Sequence, residues 1–180
     1  FDTKDLKLFQ AGLTIRTRQK IGHNKVELTV KLRPINVDEI EKFWYDVDGF
    51  KCEYEVLLTK TIGSCSLDSE IEDADLKKLK AKPEKIQDYL SKKQMKLLNA
   101  HFSNSIHWDK LSYLGPVLSE AWKVSDDLLP DTLDVEQWWL PNRETQIEIS
   151  MKVPEEDAKE TIAKLKKFMK KNDLASDENQ

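Results

Sequence analysis

Along this chain the apolar positions follow two periods. Residues 13–18, "LTIRTR", put Leu13, Ile15 and Thr17 on one side and Thr14, Arg16 and Arg18 on the other. That two-residue period marks a strand with one apolar face. Residues 26–33, "VELTVKLR", repeat it, with Val26, Leu28, Val30 and Leu32 against Glu27, Thr29, Lys31 and Arg33. "FKCEYEVLL" sets Cys52, Tyr54 and Val56 against Lys51, Glu53 and Glu55. Residues 117–124 and 132–139 read as two further strands. "TQIEISMKV" reads as a sixth, with Ile147, Ile149, Met151 and Val153 opposite Glu148, Ser150 and Lys152.

The helical period governs two stretches. "PEKIQDYLSKKQMKLLNAHF" carries a stripe of Ile86, Leu90, Leu97 and Leu98 behind Pro83, a residue suited to a first turn. "PEEDAKETIAKLKKFMKK" begins acidic and ends in lysines, as the helix dipole favours, with Ala158, Ile162, Leu165 and Met169 as its stripe. "INVDEIEKFWYDVDG" predicts a short helical turn closed by Asp48-Gly49. Residues 59–82 are polar, acidic and then lysine-rich, and are expected to form a mobile loop. No repeat or linker divides the chain. Residues 1–172 are expected to be one domain and residues 173–180 a disordered tail.

Composition narrows the function. Against 33 Asp+Glu stand 29 Lys+Arg, so no basic nucleic-acid footprint covers the whole chain and no nucleic-acid partner is expected. No apolar run approaches the roughly 20 residues of a membrane span, so no membrane partner is expected either. Cys52 and Cys65 read as two thiols, consistent with a reducing cytoplasm.

The polar faces carry the candidate chemistry. An alternating strand ordinarily turns its charges to water. Here Arg16, Arg18, Lys31 and Arg33 recur at every second position of two adjacent strands, while Glu53, Glu55, Asp134, Glu136 and Glu148 recur on three later ones. A closed antiparallel barrel with a basic and an acidic sector would gather both sets. Unlike charges packed without water or ligand are costly, so such an interior needs an occupant. Arg forks and Lys points suit phosphate oxygens, and clustered carboxylates suit a hard divalent cation. His23, His101 and His107 lack metal-ligand spacing. Asp46 and Asp48 beside Gly49 read as a plain turn.

The segment "FDTKDLKLFQAGLTIRTR" is similar to the Y-x-D-T-x-x-x-x-L-x-x-x-G-x-x-L-R-x-R motif of the CYTH domain, the triphosphate tunnel metalloenzymes. "LTVKLR", "CEYEV", "EAWKV", "LDVEQWW" and "IEISMKVPEEDAKETIAKL" resemble later elements of that family in the same order. The resemblance implies an α+β fold, an eight-stranded antiparallel tunnel with flanking helices. It also implies an enzyme hydrolysing inorganic, thiamine or nucleoside triphosphates with Mg²⁺ or Mn²⁺. By position, Arg16, Arg18 and Lys31 would bind phosphate, with Arg33 and Lys123 as further candidates. Asp134 and Glu148 would hold metal, joined by Glu136, Glu53 and Glu55. The family's E-x-E-x-K strand would precede Phe1, where the sequence opens in mid-motif, and an upstream strand is expected. Ser119 stands where the family often has Arg, and Lys123 shares its strand parity. Gln146 and Ser150 flank Glu148 where paired glutamates are usual. An adenylyl cyclase, a non-catalytic polyphosphate-binding module and a barrel for apolar small molecules are the alternatives, and a homodimer is possible.

Overall fold

The computed structural model describes residues 1–56, 61–140, 142–154 and 157–174. The chain divides into two compact units, one of Phe1–Glu55 with Thr61–Leu114 and one of Val56–Lys60 with Gly115–Gln180. No helix among the described residues is long and apolar enough to cross a membrane.

The first unit is built on a four-stranded sheet of β1 (Leu13–Gln19), β2 (Lys25–Leu32), β3 (Phe50–Val56) and β4 (Thr61–Glu72), in the order β1-β2-β4-β3. β1 runs antiparallel to β2 with Leu13 opposite Leu32, and β2 antiparallel to β4 with Leu32 opposite Cys65. The alternation decides which side is covered. Leu13, Ile15, Val26, Leu28, Val30 and Leu32 are buried, in one cluster with Leu76 and Leu79 of α2 (Asp73–Ala81), Ile86, and Leu97 and Leu98 of α3 (Lys92–His101). Each such side chain contributes about 1.5–3 kcal/mol by leaving water.

Three expectations change in this unit. Residues 61–81 are not a loop: they form β4 and α2, while residues 59 and 60 lie outside the described residues. β4 escapes a periodicity reading because Gly63 and Ser69 interrupt the side that carries Cys65, Leu67 and Ile71. Its central place, paired on both edges, supplies what composition lacks. The stretch from Pro83 is not one helix but a 3₁₀ segment, Pro83–Tyr89, followed by α3. Ser91 restarts the helix with a capping box, accepting from the Gln94 amide while the Gln94 side chain accepts from the Ser91 amide. The cysteines are not free thiols: Cys52 of β3 and Cys65 of β4 form a disulfide. The support that unpaired thiols lend to a reducing compartment is thereby removed.

The segment before β1 folds around one carboxylate. Asp2, buried at 6% exposure, accepts from the amides of Thr3 and Leu8 through Oδ1 and of Phe9 through Oδ2. The Thr3 hydroxyl accepts from the Lys7 amide. Together they satisfy the first amides of the short α1 (Lys7–Gln10).

The second unit holds β5 (Leu118–Val124), β6 (Leu133–Trp139) and β7 (Thr145–Ser150) in an antiparallel meander, and α4 (Ala158–Lys171). Thr161 and Phe168 are the buried positions of α4, with Ala158, Ile162, Leu165 and Met169 half-buried beside them. The predicted tail lies outside the described residues from residue 175 on.

The expected eight-stranded closed barrel is not what forms. The described residues make seven strands in two separate antiparallel sheets of four and three, with β1 and β3 as edges of one and β5 and β7 as edges of the other. Alternation specifies a sheet with one covered face; closure requires edge-to-edge pairing, which no periodicity encodes.

Candidate functional site

The polar face of the four-stranded sheet follows from strand parity, and Thr29, Ser64 and Ser66 are buried on it. Burying Leu13 and Ile15 turns Thr14, Arg16 and Arg18 of β1 to the opposite side. On β2 the same alternation presents Glu27, Thr29 and Lys31, and Arg33 follows just beyond the strand. The register sets Arg18 opposite Glu27, Arg16 opposite Thr29 and Thr14 opposite Lys31. On β4 the partners continue as Glu70, Asp68 and Ser66. Arg16 and Arg18 are exposed, and no ion pair joins either to a described residue. Thr29 donates to Asp68 at 2.7 Å.

Gly12 places Arg33. Its φ is +85°, and the Arg33 carbonyl oxygen would stand 2.8 Å from any added Cβ. The Arg33 amide in turn donates to the Gly12 carbonyl at 2.9 Å. Of the motif residues in the opening segment, then, Asp2, Thr3 and Gly12 shape the backbone while Arg16 and Arg18 stand exposed on the polar face.

One cluster joins three strands. Lys31 Nζ donates to Glu55 Oε1, Arg33 Nη2 lies 2.8 Å from Glu55 Oε2, and Ser64 Oγ donates to Glu55 Oε1 at 3.2 Å. Burial pushes the Glu55 carboxyl up, but the hydrogen bond and charge of Lys31, then the charge of Arg33 and the Ser64 hydroxyl, hold it below the ordinary glutamate value. Glu55, expected on the metal-handling side, is here the counter-ion of two cations. Glu53 is exposed on the same strand. Ser64 was hidden within the stretch expected as a loop. Its signal is the period-two run Ser64, Ser66, Asp68, Glu70.

The remaining candidates sit in the second unit. Lys123 on β5 pairs with Asp134 on β6, Nζ to Oδ1 at 2.7 Å, with Ser150 opposite Asp134 on β7. Glu136 and Glu148 are directly opposite each other across β6 and β7, an arrangement that like charges disfavour. Among the described residues, no group of three or more His, Cys, Asp or Glu is placed to hold a metal ion. Of the candidate donors, Glu55 and Asp134 are each engaged by a lysine.

No family model matches the chain, and no curated protein matches it. Among solved structures it is similar to a Bacillus halodurans protein described as a "putative adenylate cyclase". That match has a TM-score of 0.61 and 15% identity over 99% of this chain and 74% of that one. At this identity the likeness carries the fold alone.

Proposed function

We propose that this chain belongs with the CYTH proteins its opening segment resembles, and that it binds a triphosphate chain on the polar face of the four-stranded sheet and hydrolyses it. One observation carries the reading: Arg16 and Arg18 stand exposed at alternate positions of β1, unengaged by any described acid, with Arg16 one diagonal step from Lys31, which lies opposite Thr14 on the next strand. Guanidinium forks at that spacing can take successive phosphate groups of one polyanion. The fold shared with the Bacillus halodurans protein supports the family assignment. Mg²⁺ and Mn²⁺ enter as ions that chelate the triphosphate's own oxygens.

Incubation with inorganic, thiamine and nucleoside triphosphates, with Mg²⁺ or Mn²⁺ and with a chelator control, tests the hydrolase. Phosphate release that falls in Arg16→Ala and Arg18→Ala is expected. Cyclic AMP formed from ATP would replace the hydrolase by a cyclase, the reading that the neighbour's description favours. Calorimetric binding of triphosphate without turnover would leave a binding module. Absence of both binding and turnover overturns the proposal.

A further inference from the structure

We infer that Glu55 is an internal competitor for the ligand's phosphate and sets the site's preference for long polyanions over single phosphates. The inference rests on the phosphate-binding reading of the sheet face. Its basis is the reach of the side chain. β3 and β2 are not neighbours; β4 lies between them, so two strand spacings separate the residues, about 9.5 Å. Glu55 crosses β4 where that strand carries only serines: Ser66 is opposite Lys31, and Ser64 donates to the crossing carboxylate. Both serines are buried, at 5% and 2% exposure. The carboxylate thus occupies the ground in front of Lys31 Nζ and Arg33 Nη2, where a phosphate bound by those cations would have to sit.

Competition from within the chain acts at an effective concentration on the order of millimolar or above. Orthophosphate offers one group and must remove Glu55 with that group alone. A triphosphate that also holds Arg16 and Arg18 draws on further contacts and displaces it. Glu55 is thereby a specificity-determining residue that need not touch the bound ligand.

Calorimetric titration of the full chain with sodium orthophosphate and sodium tripolyphosphate, at one low salt concentration, tests this. Wild type is expected to bind tripolyphosphate far more tightly than orthophosphate. Glu55→Gln, which keeps the side chain's size but removes its charge and replaces one accepting oxygen by a donor, is expected to gain about tenfold or more in orthophosphate affinity and to narrow the preference. Ser64→Ala, loosening the same carboxylate, should shift in the same direction by less and serves if Glu55→Gln does not fold. Unchanged orthophosphate affinity in Glu55→Gln and Ser64→Ala, with tripolyphosphate still bound, overturns the role of Glu55 and leaves the phosphate-binding reading standing. No binding of either anion by wild type or any variant overturns both. Binding by Glu55→Gln where wild type shows none supports the competitor.

Discussion

Arg33 Nη2 lies 2.8 Å from Glu55 Oε2 although β4 stands between β3 and β2, the strand that Arg33 follows. This pair and its Lys31 neighbour predict an acid-dependent component of stability. Because the Glu55 carboxyl is held below its ordinary value of 4.5, the stabilisation is present above that pH and is lost as the pH falls through the lower, folded value. The side chains keep 25%, 31% and 39% of their exposure for Glu55, Lys31 and Arg33. Solvent screening therefore limits the effect to about 1 kcal/mol or less. Melting curves of wild type and Glu55→Gln should differ most near neutral pH and converge below 4.5. A gap that does not shrink as the pH falls below 4.5 contradicts the assignment.

Gly12 and Gly22 share a left-handed backbone, with φ of +85° and +83°, but only Gly12 has a neighbour in the way of a Cβ. Gly22→Ala should cost about 1 kcal/mol, the conformational term alone. Gly12→Ala must also move the Arg33 carbonyl and should cost about 2–3 kcal/mol. Urea midpoints of the two variants separate the effects. Equal losses would show that the approach to Arg33 is not fixed by Gly12.

Gln94 is fully buried and bridges α3 to two strands, with Nε2 donating to the carbonyls of Leu28 at 2.8 Å and Leu67 at 3.0 Å. Its Oε1 accepts from the Ser91 amide and the Ser69 hydroxyl. Gln94→Ala leaves buried partners unsatisfied and removes half of the capping box, a loss of about 2–4 kcal/mol. Ser91→Ala, which removes only the cap, should lose about 1 kcal/mol. Denaturant unfolding that ranks the two in the opposite order would mean that Gln94 acts through the cap alone.

How much of this was legible depends on whether a feature is local. β1 and β2 could be read because Leu13, Ile15, Val26, Leu28, Val30 and Leu32 alternate without interruption, and the exposed Arg16 and Arg18 follow from the same parity. The restart of α3 was written just as locally, in Ser91 and Gln94 three positions apart, but the apolar stripe running on from Ile86 made one helix of it. β4 was illegible: Gly63 and Ser69 dilute its apolar side, and its stability comes from strands on both edges. The contact of Glu55 with Lys31 and Arg33 depends on the order β1-β2-β4-β3. Chain order does not imply that arrangement, so the residue types were visible and their partnership was not.

The disulfide extends the same point, since Cys52 and Cys65 meet only because β3 and β4 are neighbours. With a sequence separation of 13, the link should stabilise the fold by about 3 kcal/mol through restriction of the unfolded chain. A thiol reductant should then lower the melting temperature by roughly 6–12 °C. Intact mass should show the protein lighter than the dithiol by two hydrogen atoms. Cys65 is 1% exposed, so alkylation in the native state says little about pairing. The decisive measurement is alkylation in guanidinium without reductant, where neither cysteine should react. Reaction of both there would show two thiols held side by side by the strand register. β3 would then depend on its ladder with β4 and on the hold of Glu55 on Lys31 and Arg33, and Glu55→Gln would become the more destabilising variant for that edge.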